Sequence, residues 1–328
     1  MNKLSYAVLD IDAAAEAEKI CAGLREALRT RLHRRGFVVA LSGGVDSSVT
    51  AALCVQAVGK ERVHGLLLPE RDSSGSSLEL GRTLAEQLGI AYHVQDIAPT
   101  LDAIGCYQWR DEAIRRVFPE YQANWKSKIA LAGGNEGRLN YFNLVVQSPQ
   151  GEIKQARLGL NEYLQIVAAT SYKQRIRKTV EYFHADRLNY AVAGTPNRLE
   201  YDQGFFVKNG DGSADIKPIA HLYKTQVYAL ARHFGLPERI CAAMPTTDTY
   251  SMAQGQDEFY FVLPYREMDL SLWAYNHNIP AAQLAESLGL SVERAQFIYQ
   301  DIEKKRRTTA YLHTSALLVE DVALGASA

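Results

Sequence analysis

Seven residues of the chain read Ser42-Gly43-Gly44-Val45-Asp46-Ser47-Ser48. Hydroxyls and exposed backbone N–H groups bind phosphate oxygens, and the two glycines allow a tight turn and close approach of the backbone to a ligand. Asp46 adds a carboxylate that can hold a cation. The stretch lacks a Gly-Lys-[Ser/Thr] ending, so it is not a Walker A loop. A second stretch, residues 194–227, gathers Thr195, Glu200, Lys208, Asp211, Asp215 and Lys224 around several glycines. Chemistry on a nucleoside triphosphate needs hard carboxylate oxygens for Mg²⁺, which Asp46 and Glu200 can supply. It also needs cations against the charge that grows on the phosphates as a bond between them breaks, for which Lys208 and Lys224 are candidates. The plain alternatives are a Ser-capped glycine turn for the first stretch and a solvated, charged loop for the second.

The elements around these residues decide between the readings. Phe37-Val38-Val39-Ala40-Leu41 is a short apolar run that predicts a buried strand, and the residues from Ser47 onward predict a helix. The glycine turn therefore falls at a helix N-terminus, where the dipole and free amides suit phosphate. A helix is expected over 12–34, strands over 63–68 and 90–94, and between those strands a helix marked by Leu80, Leu84 and Leu88 and stopped by Gly89. This alternation predicts an α/β fold with a doubly wound, mostly parallel sheet, whose ligands bind beyond the carboxyl ends of the strands. Residues 109–121 read as a helix, 133–137 as a loop, and 140–146 with 152–158 as a β-hairpin. The alternation resumes with a basic helix over 171–184, a strand over 188–193 and a helix over 221–234. From about Tyr250 onward only helical patterns remain. The expected organisation is one α/β domain over 1–250, interrupted by an insertion at 105–168, with 251–328 as its helical C-terminal region.

Composition narrows the class. The 328 residues carry a formal net charge of -1, with 47% hydrophobic and 22% charged residues, the balance of a globular chain without an electrostatic case for nucleic acid or membrane. No apolar run reaches the length of a membrane span, and the N-terminus lacks a signal-peptide core. Four scattered cysteines, with no C-x-x-C pair, read as reduced thiols of a cytoplasmic protein. The eight histidines show no metal-ligand spacing.

The glycine turn resembles the pyrophosphate-binding loop of the N-type ATP pyrophosphatases, which cleave ATP between the α and β phosphates. Residues 194–227 make the resemblance narrower, since Gly194-Thr195, Glu200, Gly204-Phe205-Phe206, Lys208, Gly210-Asp211-Gly212, Ala214-Asp215, Pro218 and Lys224 resemble the NAD⁺ synthase family in order and spacing. Pro245-Thr246-Thr247-Asp248, Asp257-Glu258, Tyr265 with Asp269, and Glu303-Lys304-Lys305-Arg306 resemble its later motifs, so the likeness spans roughly 20–104 and 168–310. It implies an adenine nucleotide alpha hydrolase-like, Rossmann-like fold. It also implies an ATP-dependent carbon–nitrogen ligase that adenylates deamido-NAD and lets ammonia displace AMP. Ser42, Gly43, Gly44, Val45, Asp46, Ser47, Ser48, Thr195, Lys224 and Thr246 would then bind ATP, with Mg²⁺ on Asp46 and Glu200. Arg175, Arg177, Lys208, Asp215, Lys304 and Lys305 would face the acid, at the two-fold interface of a homodimer. Asp46, Lys208 and Lys224 would carry the catalysis. The chain spares no residues for a glutaminase domain, which implies free ammonia or ammonia from a separate protein.

Three features depart from the family pattern, and all fall on the side of the acid. Ser171 stands where an Asn is usual, Lys304-Lys305 where His-Lys is common, and 105–168 is extra to the compact bacterial enzymes. They keep open the same amidation on a different carboxylic acid. A non-catalytic ATP-binding regulator and an RNA-modifying enzyme are more distant alternatives. The basic cluster Lys173, Arg175, Arg177 and Lys178 reads either as a solvated helix face or as a phosphate contact. Residues 283–293 resemble half a helix-turn-helix, for which a packed helical hairpin is the plainer reading.

Overall fold

Asp12 opens the first helix, α1 (Ala13–Ala27), its carboxylate accepting the amides of Ala14 and Ala15 at 3.0 Å. Ile20, Leu24 and Leu28 form its buried stripe. The regular helix stops well short of residue 34. One wider turn, Leu28–Leu32, carries it to His33, whose left-handed backbone (φ 49°) ends it. The computed structural model describes residues 4–132, 141–242, 250–252, 260, 263–320 and 322.

Then comes β1 (Phe37–Ala40), followed by α2 (Val45–Val58), β2 (Val63–Leu67), α3 (Gly75–Leu88) and β3 (Ala91–Val94). Gly89, at φ 65°, closes α3 as a left-handed cap. The three strands are parallel, with Phe37 opposite Val63 and His64 opposite Ala91. The chain leaves the sheet through α4 (Ala98–Ala103) and α5 (Cys106–Val117). It next forms a separate antiparallel sheet of β4 (Lys126–Ala132), β5 (Tyr141–Gln147) and β6 (Ile153–Arg157). The expected hairpin is thus the β5–β6 pair, while β4 went unread because Lys126-Ser127-Lys128 masks its alternation; its definition comes from pairing with β5. The loop expected at 133–137 lies outside the described residues.

The return path is α6 (Leu160–Leu188), 29 residues long and far longer than the 171–184 that its charges suggest. Its first turns carry Leu160 and Leu164 at 71% and 53% exposure, so they show no single apolar stripe to read. Asn189 (φ 55°) caps it, which leaves only β7 (Ala191–Val192) of the strand expected over 188–193. That strand pairs in parallel with the other edge of β1, giving the order β3-β2-β1-β7. The order reverses at β1, and a crevice opens at its carboxyl end. Beyond it lie α7 (Arg198–Gln203), α8 (Lys224–His233), α9 (Glu238–Ala242), α10 (Tyr265–Asn276), α11 (Ala281–Leu288) and α12 (Val292–His313). The α/β architecture and the helical C-terminal region are as expected. In the α11–α12 pair, Leu284, Ala285, Ala295 and Ile298 are buried in one cluster, which makes it the packed hairpin.

Alternation in β1 explains how the sheet is covered. Phe37 and Val39 face Leu24, Leu53 and Val227 on one side. Val38, with Leu66 and Val192, faces Leu101 and the Ile176 and Val180 side of α6 on the other. No helix among the described residues is long and apolar enough to cross a membrane.

Where α6 ends on that second face, three histidines meet. His184 lies 5.4 Å from His64 and 5.3 Å from His93 between ring centroids, and Arg187 donates to its Nδ1 at 3.0 Å. Burial, then the neighbouring His184 and Arg187, pushes His64 down to about 4, and its Nε2 has no hydrogen-bond partner among the described residues. A histidine that resists protonation only when folded weakens the fold as pH falls from its ordinary value, 6.5, toward about 4. We expect the urea midpoint to drop over that window and His64→Leu to flatten the drop. An unchanged slope in the variant would exclude His64 as its source.

Candidate active site

The turn after β1 is built by its own serines. Ser47 Oγ donates to the Gly44 carbonyl at 3.0 Å and accepts the Ser42 amide at 3.3 Å, while Ser48 Oγ donates to the same carbonyl at 2.8 Å. Gly43 sits at φ +78°, and a Cβ there would lie 2.6 Å from the Ser77 carbonyl oxygen. The backbone is therefore pressed against the first turns of α3, with no room for a side chain. Ser42 to Ser47 line a cavity of about 710 Å³; Ser48, fully buried, braces the turn from behind.

Behind the turn lies a compact charge cluster. Lys224, the first residue of α8 and 1% exposed, donates from Nζ to the Asp46 carboxylate. Asn197, fully buried, donates to the other Asp46 oxygen at 3.2 Å. Asn197 also caps α7 reciprocally with Glu200: its Oδ1 accepts the Glu200 backbone amide at 3.2 Å and its backbone N–H donates to Glu200 Oε2 at 3.1 Å. Residue types alone did not single out Asn197, but the Asn-x-x-Glu capping pattern was there to find. Burial, then the Asp46 charge, pushes Glu200 up to about 8 against the pull of Lys224. Burial opposes the Lys224 ammonium, yet Asp46 and Glu200 together outweigh it and raise its pKa. Asp269 of α10 accepts the amides of Thr225 and Lys224 at 2.7 and 3.2 Å, fixing the start of α8. Burial still lifts its pKa to about 7.

The remaining candidates divide. Thr195, Arg175, Arg177 and Lys208 line the same cavity, joined by Lys178, of the basic cluster that reads as a solvated face or a phosphate contact, and by Glu181 and Asp211, which had no site role assigned. Lys208 donates to the carbonyls of Tyr311 and Thr314 at 2.7 and 2.9 Å, closing the end of α12. Arg177 donates to Ser73 Oγ at 3.3 Å. Asp215 lies off the cavity, accepting the Val192 amide at 2.7 Å and bracing β7. Lys304 is exposed, and Lys305 is tied to Asp301 at 2.6 Å and the Tyr260 carbonyl at 2.7 Å; neither lines the cavity. Lys173, read with the basic face of its helix, is instead buried between Glu70 and Asp72. Thr246, with its neighbours Pro245, Thr247 and Asp248 and the pair Asp257-Glu258, lies outside the described residues.

A parallel sheet with a Ser-Gly-Gly turn at its switch point and a lysine–carboxylate cluster behind it defines an adenine nucleotide alpha hydrolase-like fold. The sequence model described as NAD synthase matches residues 16–135 and 139–309. The chain is 55% identical to the NH3-dependent NAD⁺ synthetase of Rhizobium meliloti (strain 1021), covering 98% of this chain and 97% of that one. It is 39% identical to that of Thermotoga neapolitana, over 88% of this chain and 93% of the relative. Among solved structures, the NH3-dependent NAD synthetase from Campylobacter jejuni superposes with a TM-score of 0.61 at 22% identity, over 94% of this chain and all of the other. The NMN synthetase of Francisella tularensis superposes at 0.63 with 21% identity, over 94% and 99%. The chain belongs to the NAD synthase family. The match runs through most of 105–168, so the expected limits of the resemblance, 20–104 and 168–310, were too narrow.

Asp46 is the only described anion bonded directly to the buried Lys224 ammonium. We expect Asp46→Asn to slow pyrophosphate release at least about 100-fold. It should also lower stability by ~3–5 kcal/mol, because the ammonium stays buried without its anion. Thermal unfolding beside a pyrophosphate assay measures both; a variant with wild-type turnover would remove Asp46 from the chemistry.

Proposed function

We propose that the chain is an ammonia-dependent NAD⁺ synthase: the carboxylate of deamido-NAD attacks the α-phosphorus of ATP, pyrophosphate leaves, and ammonia displaces AMP to give the amide. The observation that carries this reading is near-full-length identity of 55% to a synthetase of that description. The charge cluster behind the phosphate turn accords with it. A free carboxylate is a poor acceptor for ammonia because oxide would have to leave; AMP is a far better leaving group. Positioning and electrostatics supply the catalysis, and no covalent protein nucleophile is needed.

Each group has a part in this reading. Ser42, Gly43, Gly44, Val45 and Ser47 and the N-terminus of α2 take the phosphates, with Ser48 bracing them and Thr195 and Thr246 completing the ATP side. Lys224 offsets charge at the α-phosphate. Asp46 and Glu200 share one wall, and their hard carboxyl oxygens would hold Mg²⁺ brought in with the triphosphate, Glu200 giving up its proton to do so. When bound, Mg²⁺ neutralises charge on the triphosphate and on departing pyrophosphate. Arg175, Arg177 and Lys208 hold the acid. The rest of the acid site, including Lys304, Lys305 and Asp215, lies at a two-fold interface between copies, which makes the enzyme a homodimer. We take residues 1–250 and the helical 251–328 as one domain, and the cytoplasm as its compartment, in keeping with four free thiols.

Steady-state assays with ATP, ammonium and deamido-NAD test the reading. NAD⁺, AMP and pyrophosphate should appear in equal amounts, and only with all three substrates; ATP cleavage indifferent to deamido-NAD would contradict it. Glu200 gives a second test. Its carboxyl is protonated below about 8 in the free protein, and cation binding requires the carboxylate. Mg²⁺–ATP should therefore release a proton at pH 7 and bind more tightly as pH rises toward about 8, levelling off above. Calorimetry in buffers of different ionisation heat measures the proton; Glu200→Gln should abolish its release, and persistence of the release would clear Glu200.

A further inference from the structure

Residues 69–77, which run from the end of β2 into the first turn of α3, have two sides. Ser73, Ser76 and Ser77 face the cavity, and the Ser77 carbonyl occupies the space a Gly43 side chain would need. The acids of the loop turn the other way. Glu70 and Asp72 both accept from Lys173 Nζ of α6, at 3.0 and 2.7 Å. Arg110 of α5 donates to Asp72 at 2.6 Å and to Asp111 at 2.7 Å. The Tyr107 hydroxyl donates to Glu70 at 2.9 Å and accepts the Arg71 amide at 3.3 Å, and the Arg71 guanidinium lies 3.8 Å over the Tyr107 ring. Lys173 and Arg110 are 1% and 5% exposed. Neither they nor Tyr107 line the cavity, and the proposed chemistry uses none of them.

Charges so dry hold one geometry firmly, because a buried charge that loses its partner is strongly disfavoured. We propose that Lys173, Arg110 and Tyr107 are positioning residues for ATP: they hold residues 69–77 against the phosphate turn, so that the nucleotide subsite is formed before nucleotide arrives. A loop already ordered avoids the entropic cost of ordering on binding. Two of the three residues lie on α5, within 105–168. That stretch then serves the ATP side, although its departure from the family pattern pointed to the acid side. The inference rests on the reading that ATP binds at the phosphate turn.

The test titrates Mg²⁺–ATP, without the acid, into wild type, Tyr107→Phe, Lys173→Met and Lys173→Arg, and follows hydrogen exchange at amides 71–77. Lys173→Met should weaken ATP binding about tenfold and Tyr107→Phe about threefold. Exchange at 71–77 should quicken, KM for deamido-NAD and kcat at saturation should hold within about twofold, and Lys173→Arg should restore much of the loss. Should Lys173→Met not fold, Tyr107→Phe carries the test. Unchanged ATP affinity despite faster exchange, or equal losses for both substrates, would overturn the positioning role. Wild type that binds no ATP would overturn the functional reading itself.

Discussion

A lysine ammonium at 1% exposure cannot stand alone, and the centre of this protein is arranged around that constraint. Lys224 opens α8, its amide is held by Asp269, and its ammonium reaches Asp46 in the first turn of α2. The pair ties the helix after the Ser-Gly-Gly turn to the helix at the end of the second glycine-rich stretch. Glu200 stands close enough to be lifted by the Asp46 charge. The outcome, before any ligand is present, is a wall that holds the Asp46 carboxylate against the Lys224 ammonium, with the Glu200 carboxyl kept protonated beside them up to about pH 8. Such preorganisation is what makes electrostatic catalysis effective away from bulk water.

The sheet explains why these groups meet. Glycine turns follow both β1 and β7, and the order β3-β2-β1-β7 makes those two strands neighbours at the reversal. Residues more than 150 positions apart thereby share one crevice. Topology brings Asp46 and Lys224 together, and the capping box of Asn197 then sets Glu200 beside them.

Much of this was legible in the chain itself. The strand–turn–helix around Ser42 is local, written in five apolar residues, two glycines and a helix pattern. The family motifs kept their order, so Asp46, Glu200 and Lys224 could be named before any contact was known. What stayed hidden is non-local. β4 exists because β5 pairs with it, and α6 runs twice as far as its charges suggest because its exposed leucines obey no single stripe. Lys173 looks like any basic surface residue until α5 and the 69–77 loop close over it. Lys208 could be marked as a cation near substrate, but its grip on the end of α12 depends on carbonyls a hundred residues away.

The residues proposed for the acid are the more scattered set. Arg175, Arg177 and Lys208 line the cavity, while Asp215, Lys304 and Lys305 stand off it within their own chain. A nucleotide side complete in one chain and an acid side completed by a second copy would give the two substrates different dependence on assembly. The adenylate is the point at which the two halves must act together, and isotope transfer reports on it directly. Deamido-NAD carrying ¹⁸O in its carboxylate should pass one labelled oxygen to AMP and keep the other in the amide. Label in pyrophosphate or phosphate, or none in AMP, would contradict adenylation at this site.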